Sequence, residues 1–305
     1  MKPCVSVIVP SYNRANILEE TIPTYLQPEV AELILVDDCS QDDTPEVVAK
    51  LQKKFPQIKY YRNECNLRQT GTQNRALQYV TQQYIYFGDD DSVLLPGTIN
   101  HLLTVMHEYK ADVVAAIPIY ADEDKDMDDL PALIERKAPK IKNLKDKVDI
   151  AHLERCDFFF TMDTPQAVPF TNACALVKRM WIDKAHFDTN FGGNSYREET
   201  DYWLQMSEQK ARIYYAASAK AAQINLPFSR INRHRTFRSM WRHGKYDIIN
   251  TIKLIDKHYE YFRKYCGYQG SKTGMKVRYV FNDCLQYACI FPGRILGMVK
   301  KRLGE

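Results

Sequence analysis

The sequence predicts an α/β protein, in which a mostly parallel β-sheet carries helices on both faces and a helical segment follows at the C-terminal end. Over residues 5–117, short β-branched and apolar runs alternate with stretches of helical periodicity, as in consecutive βαβ units. Polar loops at 11–14, 37–43 and 89–92 each follow one of the apolar runs. Since ligands of such sheets bind outside the carboxyl ends of the strands, these loops are expected to converge on one site.

Five elements open the chain. β-Branched and apolar runs predict strands over 5–9, 33–36 and 58–61. Apolar residues spaced three and four apart predict a helix over 16–26. A second helix is predicted over 44–55, because the sequence Thr-Pro-Glu places proline at the first helical position, where its missing N–H costs no hydrogen bond.

The alternation continues to residue 117 and is weaker beyond it. Residues 120–149 are acidic and then rich in lysine, without a clear period, and are predicted to form a mobile excursion that closes over a bound ligand as a lid. The other predicted elements are helices over 72–81, 96–109 and 199–207 and strands over 84–87, 113–117, 158–160, 173–177 and 213–216.

Composition excludes several classes of protein. Of the 305 residues, 45% are hydrophobic and 26% are charged, which is typical of a globular chain and argues against general disorder. No run of about 18 apolar residues occurs, so no transmembrane helix is expected, and the start of the sequence does not resemble a signal peptide. None of the eight cysteines forms a CxxC pair, which favours reduced thiols in a cytoplasmic protein.

Charge is divided unevenly along the chain. Residues 228–305 contain 17 Lys and Arg against 5 Asp and Glu, whereas residues 1–227 contain 25 against 33. We therefore predict a domain at 1–227 and a basic, aromatic, helical segment at 228–305. Such a segment suits phosphates, anionic lipid or nucleic acid. Because no RNA- or DNA-binding module is recognisable beside it, no nucleic-acid partner is expected.

Three consecutive carboxylates, Asp89, Asp90 and Asp91, follow the strand predicted at 84–87. Adjacent carboxylates repel one another unless a cation neutralises them, and Mn²⁺ or Mg²⁺ takes oxygen ligands of this kind. Because side chains alternate along an extended segment, the first and third carboxylates are expected to point to one side. The alternative is a solvated acidic turn.

A second acidic pair, Asp37 and Asp38, ends the strand predicted at 33–36. A carboxylate here can accept a hydrogen bond from a nucleotide base or a ribose hydroxyl, or it can cap the turn that follows. The residues alone leave both roles open.

Together these segments resemble the family 2 glycosyltransferases, which have the GT-A fold. The resemblance covers residues 4–225 and implies a nucleotide-sugar-binding half at about 1–117 and an acceptor half at about 150–227. It is carried by VSVIVPSYNR at 5–14, VDDCSQDDT at 36–44, GDDD at 88–91, TNACALVKR at 171–179 and YREETDYWL at 196–204.

The resemblance implies which residues bind the nucleotide. Pro10, Tyr12 and Asn13 lie in or beside the segment that packs on the base. Asp38 matches the acid that hydrogen-bonds uracil in relatives, and Arg68 matches a basic position near the nucleotide.

It also implies a set of contacts to the diphosphate, the sugar and a divalent metal, Mn²⁺ or Mg²⁺. Asp91 matches the metal-ligating acid of the family's DxD motif, and Asp89 matches the acid that contacts the ribose or sugar and is a second metal candidate. Asp90 lies between them as a further donor-binding candidate. His234 lies where some relatives place a histidine on the metal or diphosphate.

For the catalytic base the resemblance points to Glu199. The usual Glu-Asp-x-Asp pattern is replaced here by Glu-Glu-Thr-Asp at 198–201, so Glu198 and Asp201 are candidates as well. Acidic residues also stabilise a helix N-terminus. At helical spacing Glu198 and Asp201 share a face while Glu199 points elsewhere, so at most two of the three reach one pocket.

The implied reaction is an inverting, metal-dependent transfer of a sugar from a nucleotide sugar to an acceptor hydroxyl in glycan or polysaccharide biosynthesis. A UDP-sugar is the expected donor, and a glycan or a lipid-linked sugar is the expected acceptor. The alternative is a non-catalytic nucleotide-sugar-binding or scaffold protein on the same fold.

The sequence pattern at the end of the chain has two interpretations. Over 275–303, apolar residues alternate with Lys and Arg, and Pro292-Gly293 divides two helices that are too short to span a bilayer. This pattern fits peripheral contact with the anionic inner face of the cell membrane, where lipid-linked acceptors lie. It also fits a pair of helices packed against the rest of the protein.

Overall fold

The computed structural model describes residues 3–153, 156–193, 195–230, 237–282 and 284. The chain forms two compact units. The first consists of Met1–Lys147, Asp157–Asn190 and Glu198–His234, and the second of Val148–Cys156, Phe191–Arg197 and Arg235–Glu305. The second unit thus includes two short stretches that precede the boundary predicted at residue 227.

A mostly parallel sheet forms the centre of the first unit. Its strands are β1 (Val5–Ser11), β2 (Val30–Asp37), β3 (Ile58–Arg62), β4 (Tyr84–Phe87), β6 (Val113–Ala115), β8 (Gln166–Ala167), β9 (Ala175–Lys178) and β10 (Ile213–Tyr215), in the spatial order β3-β2-β1-β4-β9-β6-β10-β8. Strands β3, β2, β1 and β4 are mutually parallel, as are β6 and β10, whereas β9 runs antiparallel between β4 and β6. This confirms the predicted fold class.

Helices connect the strands. They are α1 (Leu18–Thr21), α2 (Thr44–Lys54), α3 (Arg68–Leu77), α4 (Thr98–Glu108), α5 (Leu130–Lys137) and α6 (Glu198–Glu208). Every residue of β1, and all but one of β2, is buried, because parallel strands in such a fold are covered on both faces. The long helix predicted over 16–26 is instead the short α1 followed by a 3-10 turn at Ile22–Tyr25, in which Pro23 can donate no backbone hydrogen bond.

Three other expectations need correction. The predicted strand at 113–117 is divided into β6 and a separate strand, β7 (Ile117–Tyr120). The apolar run at 158–160 is not a strand; the hydroxyl of Tyr215 lies 2.7 Å from the carbonyl of Phe158 and 2.8 Å from that of Phe160, and its one proton can be donated to either. The segment 120–149, which was predicted to be a mobile excursion because its sequence has no clear period, contains α5 and 3-10 turns at Asp124–Met127 and Leu144–Asp146.

A second, three-stranded sheet supports the site. It consists of β5 (Ser92–Leu94), β11 (Ala222–Asn225) and β7, in the order β5-β11-β7. Asn225 pairs with Ser92 on one side and with Tyr120 on the other. Because directly paired residues and residues two apart share a face of a sheet, Gln223, Asn225 and Tyr120 lie on the same face. Neither β5 nor β11 was predicted from the sequence.

The described residues of the second unit that follow residue 236 are mostly helical. They include α7 (Phe237–Tyr265), and residues 272–282 are also helical. Met275 and Tyr279 are buried, while Val277 and Phe281 are each 62% exposed. Most of the segment predicted at 275–303 lies outside the described residues, as does His234. Within the described part of the chain, no helix is both long enough and apolar enough to cross a membrane.

Candidate active site

The acidic segment after β4 is held by the small sheet. The side-chain amide of Gln223 donates to Asp89 Oδ2 at 2.8 Å and accepts the hydroxyl of Tyr86 at 3.0 Å. The side-chain amide of Asn225 donates to Asp91 Oδ1 at 3.2 Å. The first and third carboxylates therefore point to the same side, as alternation along the segment predicts.

Asp90 points to a different set of groups. Its Oδ2 accepts the backbone N–H of Tyr12 at 3.3 Å, and its Oδ1 lies 3.5 Å from Arg14 Nε. Burial and the neighbouring charge of Asp91 raise the pKa of Asp90 to about 6, although Arg14 opposes this. Asp90, predicted to bind the donor, thus contacts the loop that follows β1.

Tyr25 fixes the backbone of this segment. Its hydroxyl donates to the carbonyl of Asp89 at 3.0 Å and accepts the backbone N–H of the same residue at 3.1 Å. A β-carbon on Gly88 would lie 2.8 Å from Cε1 of this ring. Only glycine allows the ring to come so close, and the acidic segment is rigid at its first residue as a result.

At the end of β2, the Asp38 carboxylate accepts hydrogen bonds from other residues of the protein. Asp38 Oδ1 accepts the backbone N–H of Leu67 at 2.7 Å and the side-chain amide of Asn63 at 2.8 Å, and Asp38 Oδ2 accepts the backbone N–H of Arg68 at 2.8 Å. A carboxylate has about four acceptor positions, of which these bonds occupy three, and the Asp38 side chain is buried, with 4% of the residue exposed. Asp38 therefore organises the start of α3 as well as being a candidate base ligand.

The adjacent Asp37 has a structural role, which includes the capping of the following turn that the sequence left open as one alternative. Its carboxylate accepts the hydroxyl of Tyr60 at 2.7 Å and the backbone N–H of Ser40 at 2.8 Å, and it lies 3.6 Å from Arg62 Nε. Burial, followed by the hydrogen bond to Asp37, raises the pKa of the Tyr60 phenol. Asp37 thereby fixes the loop that follows β2.

The loop after β1 lines an open cavity. Pro10 is buried within β1, whereas Tyr12 is 43% exposed. Asn13 has φ of +53° and donates its backbone N–H to Ser40 Oγ at 2.9 Å, which joins the loops after β1 and β2. The cavity has a volume of about 800 Å³ and is lined by Tyr12, Asn13, Arg14, Ala15, Asn16, Gln41, Asp42, Asp43 and Val47. Arg68, predicted to lie near the nucleotide, has φ of +60° and an exposed side chain.

The acidic start of α6 contains three carboxylates in unlike surroundings. Glu198 and Asp201 are buried, with exposed fractions of 2% and 0%, whereas Glu199 is partly exposed. The side-chain amide of Gln205 donates to Asp201 Oδ2 at 2.8 Å. This difference in exposure favours Glu199 as the acid that a substrate can reach.

Electrostatics links Glu199 to the acids after β4. Burial raises the pKa of the Cys174 thiol, and the negative charges of Asp89 and Glu199 raise it further. Both charges act on Tyr120 in the same way. A carboxylate that follows β4 and one in the first turn of α6 thus act on the same two side chains.

Asp89 and Asp91 are suited to holding a divalent metal together with a bound ligand. In the described ranges, no group of three or more His, Cys, Asp or Glu side chains is arranged to hold a metal ion. Asp91 is 6% exposed and, with Asp89, supplies hard oxygen donors. Two carboxylates fit Mn²⁺ or Mg²⁺ when a diphosphate supplies further oxygen ligands.

Comparisons with known sequences identify relatives of the chain. Residues 6–164 match the family described as Glycosyl transferase family 2. A GalNAc(5)-diNAcBac-PP-undecaprenol beta-1,3-glucosyltransferase of Campylobacter jejuni is 29% identical over 70% of this chain and 63% of its own length. The UDP-Glc:alpha-D-GlcNAc-diphosphoundecaprenol beta-1,3-glucosyltransferase WfgD of Escherichia coli is 32% identical over 33% of this chain and 40% of its own length. The chain thus spans less than two thirds of the length of each relative.

Solved structures share the fold. TarS residues 1–349 of Staphylococcus aureus, in complex with UDP-GlcNAc, align with a TM-score of 0.58 and 15% identity over 93% of this chain and 73% of TarS 1–349. The mannosyltransferase PcManGT of Pyrobaculum calidifontis, in complex with GDP-Man and Mn²⁺, aligns with a TM-score of 0.56 and 15% identity over 99% of this chain and 81% of its own. These matches confirm the GT-A type of fold.

Proposed function

The chain belongs to glycosyl transferase family 2, and we propose that it transfers a sugar from a nucleoside-diphosphate donor to a hydroxyl group of a glycan acceptor during glycan or polysaccharide biosynthesis. The observation that carries this proposal is the pair Asp89 and Asp91, held after β4 by the amides of Gln223 and Asn225, together with the charge of Glu199, which acts with that of Asp89 on both Tyr120 and Cys174. A binding protein needs no base opposite its donor-side acids, whereas a transferase does.

The proposed donor is a UDP-sugar. An exposed Tyr12 ring offers a surface on which a base can stack, and the remaining acceptor position of Asp38 can receive the uracil N–H. The E. coli relative is named for UDP-Glc, and the S. aureus structure was solved with UDP-GlcNAc.

Asp91, with Asp89, would hold the divalent metal, Mn²⁺ or Mg²⁺. When bound, such an ion neutralises the charge that develops on the departing diphosphate. The protein's own contribution is to fix the two carboxylates through Gln223 and Asn225, so that they need not reorganise during the reaction.

Glu199 is the proposed general base. Its carboxylate would accept the proton of the acceptor hydroxyl as the oxygen attacks the anomeric carbon, while the bond to the diphosphate breaks on the opposite face. One displacement of this kind inverts the anomeric centre. The segment 120–149, which would exclude water as a lid, stays a prediction.

The proposed acceptor is a lipid-linked sugar at the cytoplasmic face of the membrane. Both the C. jejuni and the E. coli relatives are named for acceptors on undecaprenol diphosphate. Val277 and Phe281 are exposed beside Lys276 and Arg278, which suits peripheral contact with anionic lipid. Replacing Val277 and Phe281 with serine should weaken co-sedimentation with anionic vesicles at low salt, whereas unchanged binding would show that these two residues take no part in membrane contact.

A screen of nucleotide sugars tests the proposed function. We expect one UDP-sugar to raise the melting temperature in the presence of Mn²⁺ and to release UDP, slowly by hydrolysis and faster with an acceptor. Binding of a UDP-sugar without any turnover would favour the scaffold alternative. If no nucleotide sugar binds in the presence of Mn²⁺ or Mg²⁺, the proposal is wrong.

A further inference from the structure

Two aromatic rings lie at the edge of the acidic cluster, and the proposed reaction does not account for them. Tyr120, the last residue of β7, is 49% exposed, and Phe159 is partly exposed. Their ring centroids are 5.7 Å apart, with an angle of 60° between the ring planes. Large exposed aromatic side chains beside polar groups are characteristic of ligand-binding surfaces.

The small sheet aligns Tyr120 with the acids. Tyr120 pairs with Asn225, and the backbone N–H of Ala121 donates to the carbonyl of Asn225 at 3.1 Å. Paired residues share a face of the sheet, and on that face the amide of Asn225 donates to Asp91. Tyr120 is therefore paired with the residue whose side-chain amide holds Asp91, the proposed metal ligand.

The charges around Tyr120 come from both sides of the proposed reaction. Although half of the residue is exposed, burial of the rest raises the pKa of its phenol. The negative charges of Cys174, Asp89, Glu199 and Asp91 raise this pKa further. Tyr120 thus lies where donor-side acids and the proposed base meet.

We infer that Tyr120 and Phe159 form a platform for the pyranose ring of the acceptor sugar. This inference rests on the proposed function, because an acceptor hydroxyl must come within hydrogen-bond reach of Glu199. A pyranose ring presents a nearly flat face of C–H groups, which stacks on an aromatic ring, while its hydroxyl groups remain free for carboxylates. Two tilted rings hold such a sugar in one orientation and direct one hydroxyl toward the base.

The donor sugar is the competing occupant of the platform. The two assignments differ in what the loss of the Tyr120 ring changes: the affinity for a simple glycoside, or the affinity for the nucleotide sugar. Phe159 follows the donor-binding half in sequence and belongs to the predicted acceptor half, which favours the acceptor.

Saturation-transfer NMR on the full chain tests this inference. The probes are methyl α-D-glucopyranoside and methyl 2-acetamido-2-deoxy-α-D-glucopyranoside, each measured in the presence of UDP and Mn²⁺. We expect magnetisation to reach the ring C–H protons of at least one probe. In the Tyr120→Ala variant its dissociation constant should rise by about 5- to 10-fold, and in Tyr120→Phe it should change less than about twofold because the ring is retained.

Matched variants keep the result interpretable. Phe159→Leu should weaken the same probe, and Tyr265→Ala, which removes a 62% exposed ring from α7, should not. The affinities for UDP and for the UDP-sugar should be unchanged in all of these variants. The inference is wrong if neither probe contacts the wild-type protein, if Tyr120→Ala leaves probe affinity intact, or if that variant loses UDP-sugar affinity instead. Failure of the proposed function is a separate result, namely a wild-type protein that binds no nucleotide sugar.

Discussion

Replacing Glu199 with glutamine separates catalysis from binding and from folding. The change keeps the shape of the side chain and removes its ability to accept a proton. Since a positioned general base contributes about 10²- to 10⁴-fold, transfer should fall by at least about 10²-fold, or about 2.7 kcal/mol in activation free energy. Glu199 is partly exposed, so the free energy of unfolding should change by no more than about 0.5 kcal/mol.

The neighbouring carboxylates supply matched controls. Asp201 is fully buried and accepts the amide of Gln205, so Asp201→Asn should lower the free energy of unfolding by about 1–3 kcal/mol. Glu198, at 2% exposure, should behave similarly in Glu198→Gln. Both variants should retain far more transfer activity than Glu199→Gln when measured below their melting temperatures.

Three measurements decide the assignment: UDP affinity by calorimetry, the initial rate of UDP release with acceptor, and the melting temperature. Glu199→Gln is expected to change the rate alone. A normal rate in Glu199→Gln, or a selective loss of rate in Glu198→Gln or Asp201→Asn, would refute the reasoning from exposure and transfer the role of base to another acid.

The remaining predictions concern the metal, its support and the fold. Asp91→Ala should weaken Mn²⁺-dependent UDP binding by at least about 10-fold, and unchanged binding in calorimetry with and without Mn²⁺ would remove Asp91 as a ligand. Asn225→Leu removes the amide that donates to Asp91 and should lower transfer by about 10-fold with little change in melting temperature; an unaltered rate would show that this support is dispensable. Although burial opposes it, hydrogen bonds from Lys59, Ser6 and Thr81 hold the pKa of Glu32 below its usual range, so wild-type stability should be full above the unfolded pKa of about 4.3 and should fall as pH drops through the folded value. Thermal melts of Glu32→Gln should lack this part of the acid dependence, and an identical pH profile would contradict the linkage.

The local sequence was sufficient to predict a strand where both faces of that strand are buried. β1 and β2 consist mainly of β-branched and apolar residues, and their burial in a parallel sheet follows from that composition. The polar residues at their ends, such as Asp38, could then be assigned to one edge of the sheet, because parallel strands terminate together. The acidic segment 89–91 was predictable for the same reason, down to the alternation of its side chains.

The local sequence was insufficient to predict a strand that forms only by pairing with segments distant in the chain. β11 is only four residues long, Ala-Gln-Ile-Asn, and it becomes a strand by pairing with β5 and β7, which lie more than 100 residues earlier. Gln223 and Asn225 were therefore missed as partners of Asp89 and Asp91. Alternation of apolar and polar residues over 222–225 was the one signal available, and it is too short to distinguish a strand from a loop. The apolar run at 158–160 was wrongly predicted to be a strand; the carbonyls of Phe158 and Phe160 lie within hydrogen-bond distance of the Tyr215 hydroxyl and join no ladder.

The sequence by itself determined the α/β fold class, the family resemblance and the edge of the sheet at which the acidic residues gather. These follow from hydrophobic runs and from residues adjacent in the chain, which fix strand identity and strand ends regardless of distant contacts. Only the tertiary structure decided which acid at the start of α6 is exposed, which amides hold the acids after β4, and where Tyr120 lies. Those properties depend on side chains brought together from segments up to 134 residues apart, and the periodicity of a single segment carries no information about its distant partners.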